Sequence, residues 1–148
     1  MVRTSDIDQV SAQQGVPVRL VVGATLTSLT VIRSLVESVL LTEDFSITDV
    51  ADVLLGVDEI ATQIITRSHD TDVVECSLLA GPAGVAVQMR GVLRSGLTIS
   101  TDGFGWHVVR SVADSVTIDM AGVAPDRQVL VRLAKVRSIE TDSDAPSP

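Results

Sequence analysis

Two repeat lengths alternate along the chain. "VPVRLVVGA" is rich in valine and bounded by Pro17 and Gly23, which predicts a strand over 17–23. After "TLTS" the apolar residues Leu29, Ile32, Val36 and Val39 recur at helical intervals, and Thr27 or Ser28 can cap a helix over 28–41. A longer helix, 47–68, starts near Ser46 or Thr48. One of its stripes carries Ile47, Val50, Leu54, Val57, Ala61 and Ile64, and another carries Asp52, Gly56, Glu59 and Gln63. Glu59 and Gln63, four apart, therefore address the same ligand or surface. Gly56 costs an exposed helix interior about 1 kcal/mol against alanine, so a close neighbour or simple tolerance has to explain it.

Two strand-like runs follow, 72–80 and 83–91, joined by the turn signal "GPAG". "LRSGLTISTDG" is ambiguous between a loop and a short added strand. A third helix, 105–114, buries Trp106, Val109 and Ala113, and two further alternating runs, 116–121 and 128–135, are split by "GVAPD". The order is strand, helix, helix, hairpin, helix, hairpin, with no internal repeat. It predicts an α+β, two-layer sandwich in which three helices pack on one face of a mixed, mostly antiparallel sheet. Residues 16–137 form the domain. Residues 1–15 lack a steady period and read as a flexible N-terminal arm, although "IDQV" can attach at an edge; 138–148, ending "ETDSDAPSP", read as a disordered acidic tail.

Composition narrows the function. A chain of 148 residues, 45% hydrophobic, can bury one core without disulfides or metals. The single cysteine, Cys76, lies in an apolar run and reads as a packed side chain suited to a reducing compartment. Without a bilayer-length apolar run or a signal-peptide pattern, the expectation is a cytoplasmic protein with no membrane partner. The net charge of -8 disfavours nucleic acid and favours a basic protein partner. Aromatics make up 2% of residues, with no tyrosine, so there is almost nothing on which bases could stack. His69, His107 and Cys76 have no metal-ligand spacing, and no Walker A loop, G-x-S-x-G elbow or C-x-x-C occurs. Arg67, Arg90, Arg94 and Arg110 are scattered and read as solvated groups.

Three strings carry a resemblance. "DEIATQIITRS" is similar to an E-x-x-x-N helix motif, with Glu59 on the glutamate and Gln63 on the asparagine. "VQMRGVLRSG" falls on D-x-G-x-G, with Gly91 at the aspartate and Leu93 near the first glycine. "DGFGWHVVRSVADSV" matches a helix-opening G-x-G through Gly103 and Gly105. Over about residues 17–135 the chain resembles the ATPase fold of gyrase, Hsp90, histidine kinases and MutL. Within it, the chain is most similar to the bacterial anti-sigma factor serine kinases, in particular actinobacterial regulators of sigma F.

The resemblance implies that Glu59 is the catalytic carboxylate orienting the attacking group, and that Gln63 stands where an asparagine helps hold magnesium. Gly103 and Gly105 would offer backbone N–H groups to ATP phosphates at a helix start. Gly91 removes the carboxylate that anchors adenine, a charge-assisted bond worth about 1.5–3 kcal/mol, and the loop 93–101 is short for a lid. The expectation is therefore a binding protein with no cofactor, ATP and magnesium binding weakly if at all. It sequesters a sigma factor, yields it to an anti-sigma factor antagonist, and self-associates as a homodimer. Alternatives are an active ATP-dependent serine/threonine kinase acting on the antagonist, and a scaffold with neither partner. The first predicted helix is the candidate contact element, through Val31 or Leu35 with Arg33 and Glu37; equally, all its apolar residues can face the sheet.

Overall fold

The computed structural model describes residues 2–122 and 126–138. Its elements are α1 (Thr4–Ser11), β1 (Val18–Gly23), α2 (Ser28–Thr42), α3 (Ile47–Arg67), β2 (Val73–Ala80), β3 (Gly84–Leu93), α4 (Phe104–Val112), β4 (Ser115–Ala121) and β5 (Arg127–Val136). The strands form one sheet in the order β1-β2-β3-β5-β4, every neighbouring pair antiparallel. Period-two alternation sends Val85, Val87, Met89, Gly91 and Leu93 of β3 towards one face. There α2, α3 and α4 bury Ile32, Val36, Leu40, Val53, Val57, Ile60, Ile64, Trp106 and Val109 in a common core. Each large aliphatic side chain so buried contributes about 1.5–3 kcal/mol, so the helical layer is held mainly by this seam.

α3 shows why its sequence folds as it does. Ser46 accepts a bond from the Asp49 amide at 3.1 Å and caps the first turn. Gly56 has a packing reason: a Cβ there would lie 2.7 Å from a methyl of Leu133 on β5. The close neighbour is thus a core side chain of the sheet.

The N-terminal segment differs from the flexible arm expected over 1–15. Residues 4–11 form α1, which lies on the opposite face of the sheet from the other helices. Val10 is fully buried, against the side of Gly84 that a Cβ would need. Gln13 secures the docking: its amide donates to the Val10 and Gly84 carbonyls and its oxygen accepts from the Ala83 N–H, tying the arm to the β2–β3 turn.

The end of the described chain is tied down as well. The Arg137 guanidinium stacks on Phe45 at 3.9 Å and donates to the carbonyls of Glu43, Asp44 and Gly81. Buried Asp49, in the first turn of α3, accepts from the Ser138 N–H at 2.9 Å and its hydroxyl at 2.6 Å. A carboxylate there also gains from the positive end of the helix dipole. The expected tail, apart from Ser138, lies outside the described residues.

Candidate functional site

α3, β3, α4 and the loop 94–103 bring the predicted site residues to one region on the helical face. Glu59 is half-buried, and its carboxylate lies directly against Gly105 in the first turn of α4, on the side where a Cβ would project. Gly103 is the N-cap of that helix, in extended conformation and without a side-chain cap. A carboxylate beside an uncapped helix start is electrostatically favourable. Gly105 is required for this approach, because any side chain at 105 would displace Glu59.

Gln63 reaches in the other direction. Its amide nitrogen donates to the Ser100 carbonyl at 2.9 Å and its oxygen accepts from the Ser100 N–H at 2.7 Å. Both ends of the side chain are therefore committed to the loop backbone, and the residue is buried. The same loop is fixed at its start by the Arg94 N–H bonding to the Arg67 carbonyl at 2.7 Å and the Arg94 guanidinium to the Thr66 carbonyl at 3.2 Å. Arg67 itself donates to the Gln63 carbonyl. Two of the arginines read as solvated thus serve the unpaired carbonyls at the end of α3.

Apolar side chains fill the space between these supports. Gly91 faces α3, and a Cβ at this position would run into the Cγ2 methyl of Ile64. Ile64, Leu93, Ile99 and Trp106 are all buried in the core that continues beneath the loop. Ile99 is the member that sequence reasoning missed, and its signal was a lone isoleucine between polar residues in "LTIST".

The remaining candidates separate. Asp58 holds Arg33 through two bonds, at 2.6 and 2.7 Å, which raises the Arg33 pKa further. Val31 is 50% exposed, whereas Leu35 packs partly buried against the core. Phe104, beside the glycine pair, is 82% exposed. His69 lies 3.8 Å from Asp126, and no three metal-ligating side chains converge among the described residues. Burial pushes the Cys76 thiol up to about 11, so it stays protonated at neutral pH.

Comparison with known proteins identifies relatives of the chain. The chain is 30% identical over 123 residues to the anti-sigma-F factor RsbW of Mycobacterium tuberculosis, in both strain CDC 1551 / Oshkosh and strain ATCC 25618 / H37Rv. The match covers 82% of this chain and 73% of each relative. The fold is found again in a crystal structure of the RsbU and RsbW domains of a Mycobacterium tuberculosis protein, with a TM-score of 0.52 and 15% identity, over 86% of this chain and 35% of that one. No family model matches the sequence. The fold is that of the histidine-kinase-like ATPases, helices packed on an antiparallel sheet. Within that class, the chain belongs to the actinobacterial RsbW-type anti-sigma factor family.

Proposed function

We propose that this protein is an anti-sigma factor that holds a sigma factor without needing nucleotide and releases it to an antagonist protein. Family membership supports the partner-switching role. What supports the nucleotide-independent part is Gly91, which carries no carboxylate and where a side chain would meet the Ile64 methyl, while Gln63 bonds Ser100. Sigma-factor contact is assigned to the exposed side of α2 around Val31, with Arg33 fixed by Asp58 so that it presents a set orientation. The negative charge attracts a basic DNA-binding partner and speeds encounter at low salt. Homodimer formation and a cytoplasmic location belong to the same reading; no described helix is long and apolar enough to cross a membrane. The domain is taken as 16–137, with α1 docked on its sheet through Val10 and Gln13.

A kinase acting on the antagonist is the second reading, favoured by Glu59 lying against Gly105 at the start of α4. Titrating the protein with a sigma-F-class sigma factor, with and without ATP and magnesium, tests the first reading. Equal affinity in both conditions is expected; a complex that forms only with ATP would overturn it. Phosphate transfer from ATP to the antagonist, lost in Glu59→Ala, would establish the second reading instead.

A further inference from the structure

Among the described residues, the sheet face opposite α2, α3 and α4 is only half covered. α1 lies over one end of it, with Ile7 and Ser11 bordering a hollow of about 340 Å³ above Ala86 and Thr117. Beyond α1 the face is open, and a second hollow of about 460 Å³ is lined by Val73, Arg90, Val92 and Leu130 among others. Arg132 borders both hollows, so the covered and open halves form one continuous surface. At the open end Val21 is 54% and Val73 55% exposed, a grouping of large apolar side chains that a folded chain gains by covering.

Charge on this face has a definite order. One row across the sheet reads Val21, Glu75, Arg90, Leu130, Asp119. Glu75 is taken by Arg19 at 3.2 Å and Asp119 by Arg132 at 2.9 Å. Arg90, exposed between Glu75 and Leu130, has no carboxylate partner among the described residues. Counting Arg19, Arg90 and Arg132 against Glu75 and Asp119, this face of a molecule of net charge -8 keeps one positive charge, on Arg90, in a hollow walled by both apolar and polar side chains. The molecule also shows what this surface accepts. An amphipathic helix, α1, attaches there through Ile7 and Val10, with Asp8 exposed and Asp6 accepting from the Arg3 N–H, so its apolar side and not its carboxylates makes the contact.

We propose that the open half of this face docks an acidic amphipathic helix from a protein partner, laid beside α1, with one of its carboxylates on Arg90. The planar guanidinium can take that carboxylate by two parallel bonds, while Val73, Val92 and Leu130 receive the partner's apolar side chains. Because this site and the α2 surface lie on opposite faces of the sheet, both can be occupied together. The proposal does not depend on the sigma-factor reading.

The test uses two capped helical peptides about 16 residues long, with leucines at i, i+3, i+4 and i+7 and either glutamates or lysines flanking them. Amide shifts of the labelled full chain locate binding. The glutamate peptide is expected to shift Val73, Val92, Leu130 and Gln128, and to bind about tenfold or more tightly than the lysine peptide. Arg90→Glu should reverse that order and Arg90→Gln should abolish it, with unchanged thermal melts, since Arg90 is exposed. Equal binding of both peptides, insensitivity to Arg90→Glu, or shifts confined to the helical face would overturn the proposal. So would a dimer in sedimentation that is lost in Arg90→Glu, which would make the face an interface between copies.

Discussion

On the helical face of the sheet, α3, the loop 94–103 and α4 meet β3 over a space packed with Ile64, Leu93, Ile99 and Trp106. On the opposite face, among the described residues, a single short helix covers one end and two hollows stay open. The first face carries the family's nucleotide motifs, yet its interior resembles an ordinary core. The second carries none of those motifs, yet it has the open apolar surface and the uncompensated charge of a binding site. The helix–sheet seam is close-packed, so the frame around the motif residues is held by the apolar side chains between them. The motif residues make structural contacts here: Glu59 rests against α4, and Gln63 fastens a loop.

The largest effect should come from placing a carboxylate at Gly91, where the resemblance expects one. Gly91→Asp drives a charged group into Ile64 and should destabilise the protein by about 3 kcal/mol or more, read as a drop in urea midpoint. If the substitution is tolerated within about 0.5 kcal/mol, the space is not filled and the contrast between the faces fails. Adding Ile64→Ala to Gly91→Asp makes room and should recover part of the loss, a coupling measurable by a double-mutant cycle.

Gln63→Ala comes next. It removes two hydrogen bonds that hold Ser100 and leaves the loop's amide and carbonyl without those partners. A loss of about 1–3 kcal/mol is expected, with hydrogen exchange at Ser100 accelerated and β3 unaffected. Gln63→Asn, one methylene shorter, should behave similarly because it cannot span to both backbone atoms. Unchanged exchange at Ser100 would mean that Ile99 and the Arg94 bonds hold the loop without Gln63.

These two sites also show what was legible in the residues. The stripe of α3, the hairpins and the Gly103–Gly105 helix start could be read because local periodicity and turn chemistry determine them. Gly91 was readable as a missing carboxylate, but the occupant of its space was not, because Ile64 reaches it only through the crossing of α3 over β3. The Gln63–Ser100 pairing joins residues 37 apart and has no local signature. α1 was obscured for a related reason. "TSDIDQVS" has only two apolar residues, and its helix is supported by docking Val10 at Gly84 and by Gln13 at the β2–β3 turn. Tertiary contacts of this kind override a weak local pattern.

Smaller effects sharpen the comparison. Gly105→Ala gains helix propensity but displaces the flexible Glu59 carboxylate, so stability should change by less than about 1 kcal/mol while the Glu59 side-chain resonances move. Cys76 gives a pH signature of the filled core. Its pKa is raised on folding, so the folded chain keeps a proton that the unfolded chain releases. Stability is therefore fully present below the ordinary thiol pKa and falls as pH rises towards about 11, by about 2–3 kcal/mol in all. Urea titrations between pH 8 and 11 check this against Cys76→Val, in which that part of the slope should vanish.

The most direct measurement is a calorimetric titration of the purified chain with ATP and magnesium. A filled site predicts no heat, or a Kd weaker than about 100 μM. Binding near 1 μM, about 2.7 kcal/mol stronger, would show that Ile64 and the loop 94–103 open readily and would contradict the account.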